Sequence, residues 1–321
     1  MKNLSAILSG ALFMGAVSAT GALAQTTFVT LGTQGGPIAA ADRGQPSNLM
    51  IVNGSKTLID CGDGTVQRLA KMNIPALAID NLVITHLHFD HVGGLLAVLG
   101  LRFQTNSPHP LQIYGPPGIE EMVKGLLEGM KPSMEVDYGV PGQKSFTPEE
   151  LVTVHVVKDG QSFEFGGVKA TVADNTHYGF NPGSPEAEAH QSLSYRFQTP
   201  DKTIVVTGDT GPSEAVEKLA IGADILVGEM IDVQLTLDLV KKVDPHLDAK
   251  RAEGLQVHLS KHHLTPSQLA ALAVKAKVGK LVVTHLAPGG AMNADNLKSY
   301  VAEIGKTYTG ETVIASDMDK F

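Results

Sequence analysis

Six consecutive residues, His86-Leu87-His88-Phe89-Asp90-His91, carry three imidazoles and one carboxylate. In an extended segment alternate side chains share a side, so His86 and His88 point the same way. Asp90 and His91 fall at the turn into the next helix, where they can face a second ion. Neutral imidazole and carboxylate suit zinc or a similar first-row metal. A tract this dense in histidine reads as a metal site rather than as a polar loop. A cation held by such ligands can polarise a bond and acidify a bound water.

Such a cluster needs rigid elements behind it. Short β-branched runs alternate with helical patterns along the chain, which predicts a layered α/β protein. Strands are expected at 27–31, 49–52, 57–59, 82–85, 111–114, 152–157, 168–173, 193–198, 203–207, 225–228, 281–284 and 312–315. Helices are expected at 63–72, 93–101, 116–130, 212–220, 266–277 and 294–304. The stretch 131–150, with Pro132, Pro141 and Pro148, reads as irregular, and the Pro/Gly-rich segment 115–142 reads as a lid over the site. Leu82-Val83-Ile84-Thr85-His86-Leu87 is echoed by Leu281-Val282-Val283-Thr284-His285-Leu286. Two apolar strands each ending in Thr-His-Leu would bring His86 and His285 to one shared edge.

Composition narrows the function classes. The chain has 321 residues, 43% apolar, which is enough for a well-buried core. Its single cysteine excludes a disulfide framework, a Cys-rich zinc finger and an iron–sulfur cluster. With 25 Lys+Arg against 33 Asp+Glu the net charge is −8, so a polyphosphate backbone finds no net attraction and no nucleic-acid partner is expected. Met1-Lys2-Asn3, the apolar run Leu4–Val17 and Ala22-Leu23-Ala24 have the order of a secretory signal peptide over residues 1–24. The expected product is a periplasmic or secreted domain over residues 25–321, with no membrane association after cleavage.

The sequence resembles the metallo-β-lactamase-fold hydrolases, in the branch that contains ribonuclease Z and the zinc-dependent arylsulfatases. The resemblance runs through Leu31-Gly32-Thr33, Leu58–Thr65, His86–His91, Thr207-Gly208-Asp209-Thr210, His263-Leu264-Thr265 and Thr284-His285-Leu286. It implies an αββα sandwich with the site at one edge of two sheets. It also implies two zinc ions, with Mn2+ or Fe2+ as alternatives. His86, His88 and a mid-chain histidine would bind one; Asp90, His91 and His285 would bind the other; Asp209 would bridge them. Asp60 would orient the site from behind. The mid-chain ligand is His177, shortly after the strand at 168–173, with His190 as its competitor across an apparent insertion at 178–189.

His263 matches the family's position near the leaving group, although Leu264 stands where serine is common. A substrate-binding role for His263 stays open beside that of the acid. His109, His155, His246, His258 and His262 read as surface or structural, and Phe89 as a packing residue. Cys61 is followed by Gly62-Asp63-Gly64, which excludes a formylglycine sulfatase, and Asp209 stands where β-lactamases of the main subclass place a cysteine. The implied activity is hydrolysis of a small-molecule sulfate ester or phosphodiester by a metal-bridging hydroxide, with Asp90 and His263 in the catalytic set. The rivals are a lactonase, whose acyl groove Leu126, Leu127, Met130 and Met134 would line, and a non-catalytic periplasmic zinc-binding protein. Family members often form homodimers.

Overall fold

Apolar residues alternate between two environments along nearly every strand, and that alternation builds the layers. The computed structural model describes residues 25–136, 147–181 and 183–321; the expected signal peptide lies outside them. The strands are β1 (Thr27–Gly32), β2 (Ser47–Val52), β3 (Ser55–Ile59), β4 (Asn81–Val83), β5 (Leu111–Gly115), β6 (Val152–Val156) and β7 (Ser162–Phe165). They continue as β8 (Val168–Asp174), β9 (Leu193–Gln198), β10 (Thr203–Val206), β11 (Ile225–Ile231), β12 (Lys280–Ala287), β13 (Glu311–Ile314) and β14 (Asp319–Lys320). One seven-stranded sheet has the order β14-β1-β2-β3-β4-β5-β6 and the other β13-β12-β11-β10-β9-β8-β7.

Between the sheets lie Phe28, Met50, Ile59, Val83, Tyr195, Phe197, Ile204, Val227 and Val282. Their chain neighbours face outward under helices. Val29, Leu49, Leu58, Leu82 and Ile113 meet α1 (Thr65–Lys71), α3 (Leu95–Gln104) and α4 (Ile119–Met134), separated in the chain by the short α2 (Phe89–Val92). Val205, Leu226, Leu281 and Val283 meet α6 (Glu214–Ala220), α9 (Pro266–Ala276) and α10 (Ala294–Ile304) on the far side. The expected αββα sandwich is present. The remaining helices, α5 (Pro185–Ala189), α7 (Val233–Val243) and α8 (Ala249–Lys261), lie in the connections.

Each sheet contains a parallel block, β3-β4-β5-β6 in one and β10-β11-β12-β13 in the other. Ligands gather beyond the carboxyl ends of parallel strands, and the Thr-His-Leu echo falls on β4 and β12, one inner strand from each block.

Three expectations are corrected. The segment 116–134 is not an open lid: α4 buries Ile119, Val123, Leu127 and Met130 in the outer core, and the apolar cavity of about 430 Å³ that Met130 and Met134 line with α3 shares no residue with the cavity at the metal centre. That apolar spacing also carries the helix through Pro132 to Met134, past the expected stop at 130. Phe89 does not pack; it is 89% exposed. Residues 137–142 of the expected lid lie outside the described part of the chain.

Candidate metal centre

The centre is assembled from strand ends. Directly after β3, Asp60 sits at φ 61°, a left-handed backbone that turns its carboxylate under β4. It accepts the Thr85 amide at 2.8 Å and the Thr85 hydroxyl at 2.9 and 3.0 Å, and pairs with His91 Nδ1 at 2.8 Å. With Nδ1 so occupied, His91 directs Nε2 toward Asp209 Oδ1, 3.3 Å away. Thr85 Oγ1 lies 3.0 Å from His86 Nδ1, which leaves His86 Nε2 on the same side. His177 comes from beyond β8; its Nδ1 meets the His262 carbonyl at 3.1 Å, and its Nε2 lies 3.0 Å from His88 Nδ1.

His285 is placed by a bulge in β12. Thr284 pairs with Glu229 and Leu286 with Met230, so His285 is the extra residue, at φ 42°. Bulges of this kind re-aim side chains beside active sites. Its Nε2 lies 3.0 Å from Asp209 Oδ2 and 3.4 Å from Asp90 Oδ2. Gly35 and Gly36 make room: an added Cβ would lie 2.8 Å from His285 Cε1 at Gly35 and 2.5 Å from Asp90 Cγ at Gly36. The Gly36 amide donates to Asp90 Oδ2 at 2.9 Å.

The donors form adjoining groups with Asp209 at their centre. His86, His88 and His177 make one, and Asp90, His91 and His285 another, the ligating atoms within each lying within 4.8 Å of one another. Asp209 Oδ2 is 3.9 Å from His86 and 3.8 Å from His177, while Oδ1 faces His91. His190 is not among them; it stands exposed beside Phe180, ring centroids 5.8 Å apart.

Electrostatics divide the histidines. Burial holds His177 down to about 3 and His86 well below the usual imidazole range, against the pull of Asp209. Both are therefore neutral with lone pairs available. Burial also opposes charge on His285 and His91, but Asp209 and Asp90 outweigh it, raising His91 and holding His285 up to about 10 in the metal-free chain. Burial likewise opposes the charge of Asp209, yet His285 and His91 keep it ionised.

This donor set fits a divalent metal. His91 Nε2, Asp209 Oδ1 and both ring nitrogens of His285 are buried without a hydrogen bond. Leaving such atoms unsatisfied costs about 1–3 kcal/mol each; His91 Nε2, His285 Nε2 and Asp209 Oδ1 gather at the centre, whereas His285 Nδ1 faces Glu229 at 3.9 Å. Imidazole nitrogens 3.0 and 3.2 Å from His88 Nδ1 are lone pairs gathered for a cation. The composition of the groups, nitrogen with carboxylate oxygen and no sulfur, matches zinc, manganese or iron.

A second array borders the first. Glu229, inside β11, is buried and meets His263 Nδ1 with both oxygens, at 3.1 and 3.0 Å; it also accepts the Thr210 amide at 3.0 Å. His263 lies between α8 and α9, and the Ile231 amide, donating to the Leu264 carbonyl at 2.9 Å, ties that junction to β11. Leu264 is buried in the outer core, so the residue after His263 anchors rather than reacts. Burial disfavours a charged His263, yet Glu229 overcomes it and raises the imidazole. A ligating atom of His263 lies within 4.8 Å of His177 and Asp209.

Both arrays open into a cavity of about 380 Å³ walled by Phe89, Leu255, His258 and Leu259. Glu229, which the sequence reading passed over, and His258, expected as surface or structural, border the centre, and His262 takes the structural place expected of it by fixing the His177 ring through its carbonyl. A carboxylate within the otherwise apolar run Ile-Leu-Val-Gly-Glu-Met-Ile was the available signal for Glu229.

The chain matches the family described as "Anti-Pycsar protein Apyc1" over residues 27–240. It is 31% identical over 297 residues to a ribonuclease Z of Mycobacterium avium, covering 91% of this chain and 96% of that protein. It belongs to this family, on the ribonuclease Z branch of the metallo-β-lactamase-fold hydrolases. The hydrolase shares its fold with the metallo-β-lactamase-fold protein YhfI of Bacillus subtilis, at a TM-score of 0.65 and 19% identity, covering 92% of this chain and 98% of that one. Human short-form tRNase Z is similar at a TM-score of 0.60 and 21% identity, over 92% and 98% of the two chains. The relatives' name qualifies the expectation of no nucleic-acid partner, because those proteins are called ribonucleases. No helix among the described residues of the hydrolase is long and apolar enough to cross a membrane.

Proposed function

We propose that this hydrolase is an exported phosphodiesterase that uses two divalent metals, zinc foremost, to cleave a small phosphodiester. The observation that carries the reading is Asp209, which lies between the two histidine groups: Oδ1 faces His91 and Oδ2 lies 3.0 Å from His285, while Oδ2 also stands 3.9 and 3.8 Å from His86 and His177 on the other side. Two divalent ions would supply Lewis acidity and an activated water when bound. His86, His88 and His177 would hold one; Asp90, His91 and His285 the other.

The chain's own residues do the rest. Asp60 fixes the ring orientation of His91, and the His262 carbonyl that of His177. Water adds to phosphorus, one P–O ester bond breaks, and the departing oxygen takes a proton from His263. The proton released by the attacking water restores His263. Glu229 holds Nδ1, so that the other ring nitrogen is the one presented for transfer, and favours the protonated form of His263 against the effect of burial. A purely sequestering protein has no use for this pair.

The RNA suggested by the relatives' name is the competing substrate. A net charge of −8 and a cavity of about 380 Å³ favour a small diester over a long polyanion. The export proposal rests on the leader-like residues 1–24. The test compares kcat/KM of the zinc-loaded protein on bis-p-nitrophenyl phosphate, p-nitrophenyl sulfate, a lactone and a 3′-extended transfer RNA. Preference for the phosphodiester supports the proposal. Preference for the sulfate would make it an arylsulfatase, and preference for the RNA would overturn the small-substrate reading.

A further inference from the structure

A diester has an arm that leaves and an arm that stays, and the second needs a place of its own. A cavity of about 330 Å³, within the range of small-molecule sites, adjoins that of the metal centre at His88. Leu87, Pro117, Tyr178, Phe180, His190 and Gln191 wall it. His88 lines both this cavity and that of the metal centre, whereas His263 lines only the latter. An ester whose departing oxygen faces His263 would therefore send its retained arm past His88 into the second cavity.

The walls are aromatic and fixed. The Leu87 amide donates to the Tyr178 hydroxyl at 3.2 Å, and the Tyr178 ring lies 5.3 Å from that of His88. Phe180 crosses Tyr178 at 6.0 Å and 72°, and lies 5.8 Å from His190 at 33°. Gly179 sets this stretch against the end of α8, where an added Cβ would lie 3.1 Å from His262 Nε2. Phe180 is thus held 42% exposed by an anchored backbone, its ring at the cavity wall instead of in the core. No carboxylate, lysine or arginine lines the space. Rings arranged in this way offer stacking and edge contacts to a flat, uncharged ring.

We propose that this cavity binds a flat aromatic ring carried on the ester arm that remains on phosphorus, with Phe180 and Tyr178 determining specificity. The inference rests on the phosphodiesterase reading above. An aryl group and a nucleobase share the required chemistry. Three diesters with the same p-nitrophenolate leaving group separate the possibilities: one with a methyl arm, one with a phenyl arm and one with a thymidine 5′ arm. Both ring-bearing esters should exceed the methyl ester about tenfold in kcat/KM, mostly through KM, as expected from stacking of one ring. Whichever ring-bearing ester is preferred identifies the source of the ring.

In Phe180→Ala, and in Phe180→Leu, which keeps apolar bulk without a ring, the ratio of ring-bearing to methyl ester should fall to about one; Phe180→Tyr should restore it. Saturation-transfer NMR with benzyl(methyl)phosphinate, which has no P–O ester bond to break, should show signal on its ring protons that Phe180→Leu loses, independently of turnover. Equal rates on all three esters in the unsubstituted protein, or a ring preference that survives Phe180→Leu, would overturn the subsite while leaving phosphodiester hydrolysis standing. Turnover of none of the three would sink the phosphodiesterase reading and this one with it.

Discussion

Replacing Glu229 by glutamine tests the proton-donor half of the account with little change of shape. The carboxylate meets His263 Nδ1 with both oxygens, and one oxygen also takes the Thr210 amide. A glutamine that keeps its oxygen toward Thr210 turns its NH2 toward His263, which favours the opposite imidazole tautomer and removes the charge that raises His263. A positioned general acid contributes typically 10²–10⁴-fold, and the imidazole itself stays in place, so the lower bound applies: about 100-fold in kcat, or about 3 kcal/mol. The loss must depend on the leaving group. It should be full for a dinucleotide, whose departing ribose oxygen is strongly basic, and much smaller for bis-p-nitrophenyl phosphate, whose phenolate leaves without a proton.

The pH profile gives a second reading of the same variant. Glu229 raises His263 against the effect of burial, so the acid form persists to higher pH in the native protein. Activity on the dinucleotide should fall as pH rises through that raised value, and in Glu229→Gln the falling limb should move to lower pH. Metal content by inductively coupled plasma mass spectrometry confirms that the site is loaded. A Glu229→Gln protein with full metal content, undiminished kcat on both substrates and an unmoved pH limb would refute the argument.

Gly36→Ala places a Cβ 2.5 Å from Asp90 Cγ; displacement of that ligand should leave the Asp90 group underfilled and cost about 100-fold in kcat/KM, with metal analysis showing less than the native content. Asp174 offers a stability test away from the metals: burial, assisted by Asp159, pushes its carboxyl up to about 6 against two backbone amides. Its native value exceeds the unfolded one of about 3.9, so the folded protein binds more protons between the two and loses stability as pH rises through that window. Asp174→Asn should therefore stabilise by about 1 kcal/mol at pH 8, after allowance for solvent screening, and by nothing below about pH 4, as read by urea unfolding. Because His285 is held up to about 10 and His91 is raised, both must lose a proton to ligate. Zinc uptake at pH 7 should release about one to two protons per chain, seen calorimetrically as enthalpies that vary with buffer ionisation; identical enthalpies in all buffers would contradict this.

The part of the site legible in the sequence is the part written contiguously. His86 to His91 run from just beyond β4 into α2, and Asp60, Asp209 and His285 each lie at or just beyond an apolar run, so type and spacing locate them. The alternation of Leu58 with Ile59, or Leu82 with Val83, likewise shows which face of each strand is buried. Glu229 was hidden because it lies inside a strand whose every residue is buried, where only its contact with His263, 34 positions away, reveals its role. His258 was hidden because it lies in α8 among charged residues, where a histidine looks like any other polar surface residue until the helix closes over the cavity, and His262 because it follows directly at the end of that helix. β7 and β14 are four and two residues long, too short for a period to register. The half-exposed Phe180 has no local signature, since its meaning comes from Tyr178 and His190 around one cavity.

The measurement that bears most directly on the account is a zinc titration of the metal-free protein, following kcat/KM on bis-p-nitrophenyl phosphate against bound zinc. If Asp209 joins two filled groups, activity should climb until about two equivalents are bound and then level off, and Asp209→Ala should bind less zinc and lose turnover. A plateau at one equivalent, or an Asp209→Ala protein that hydrolyses the diester as well as the native one, would contradict it.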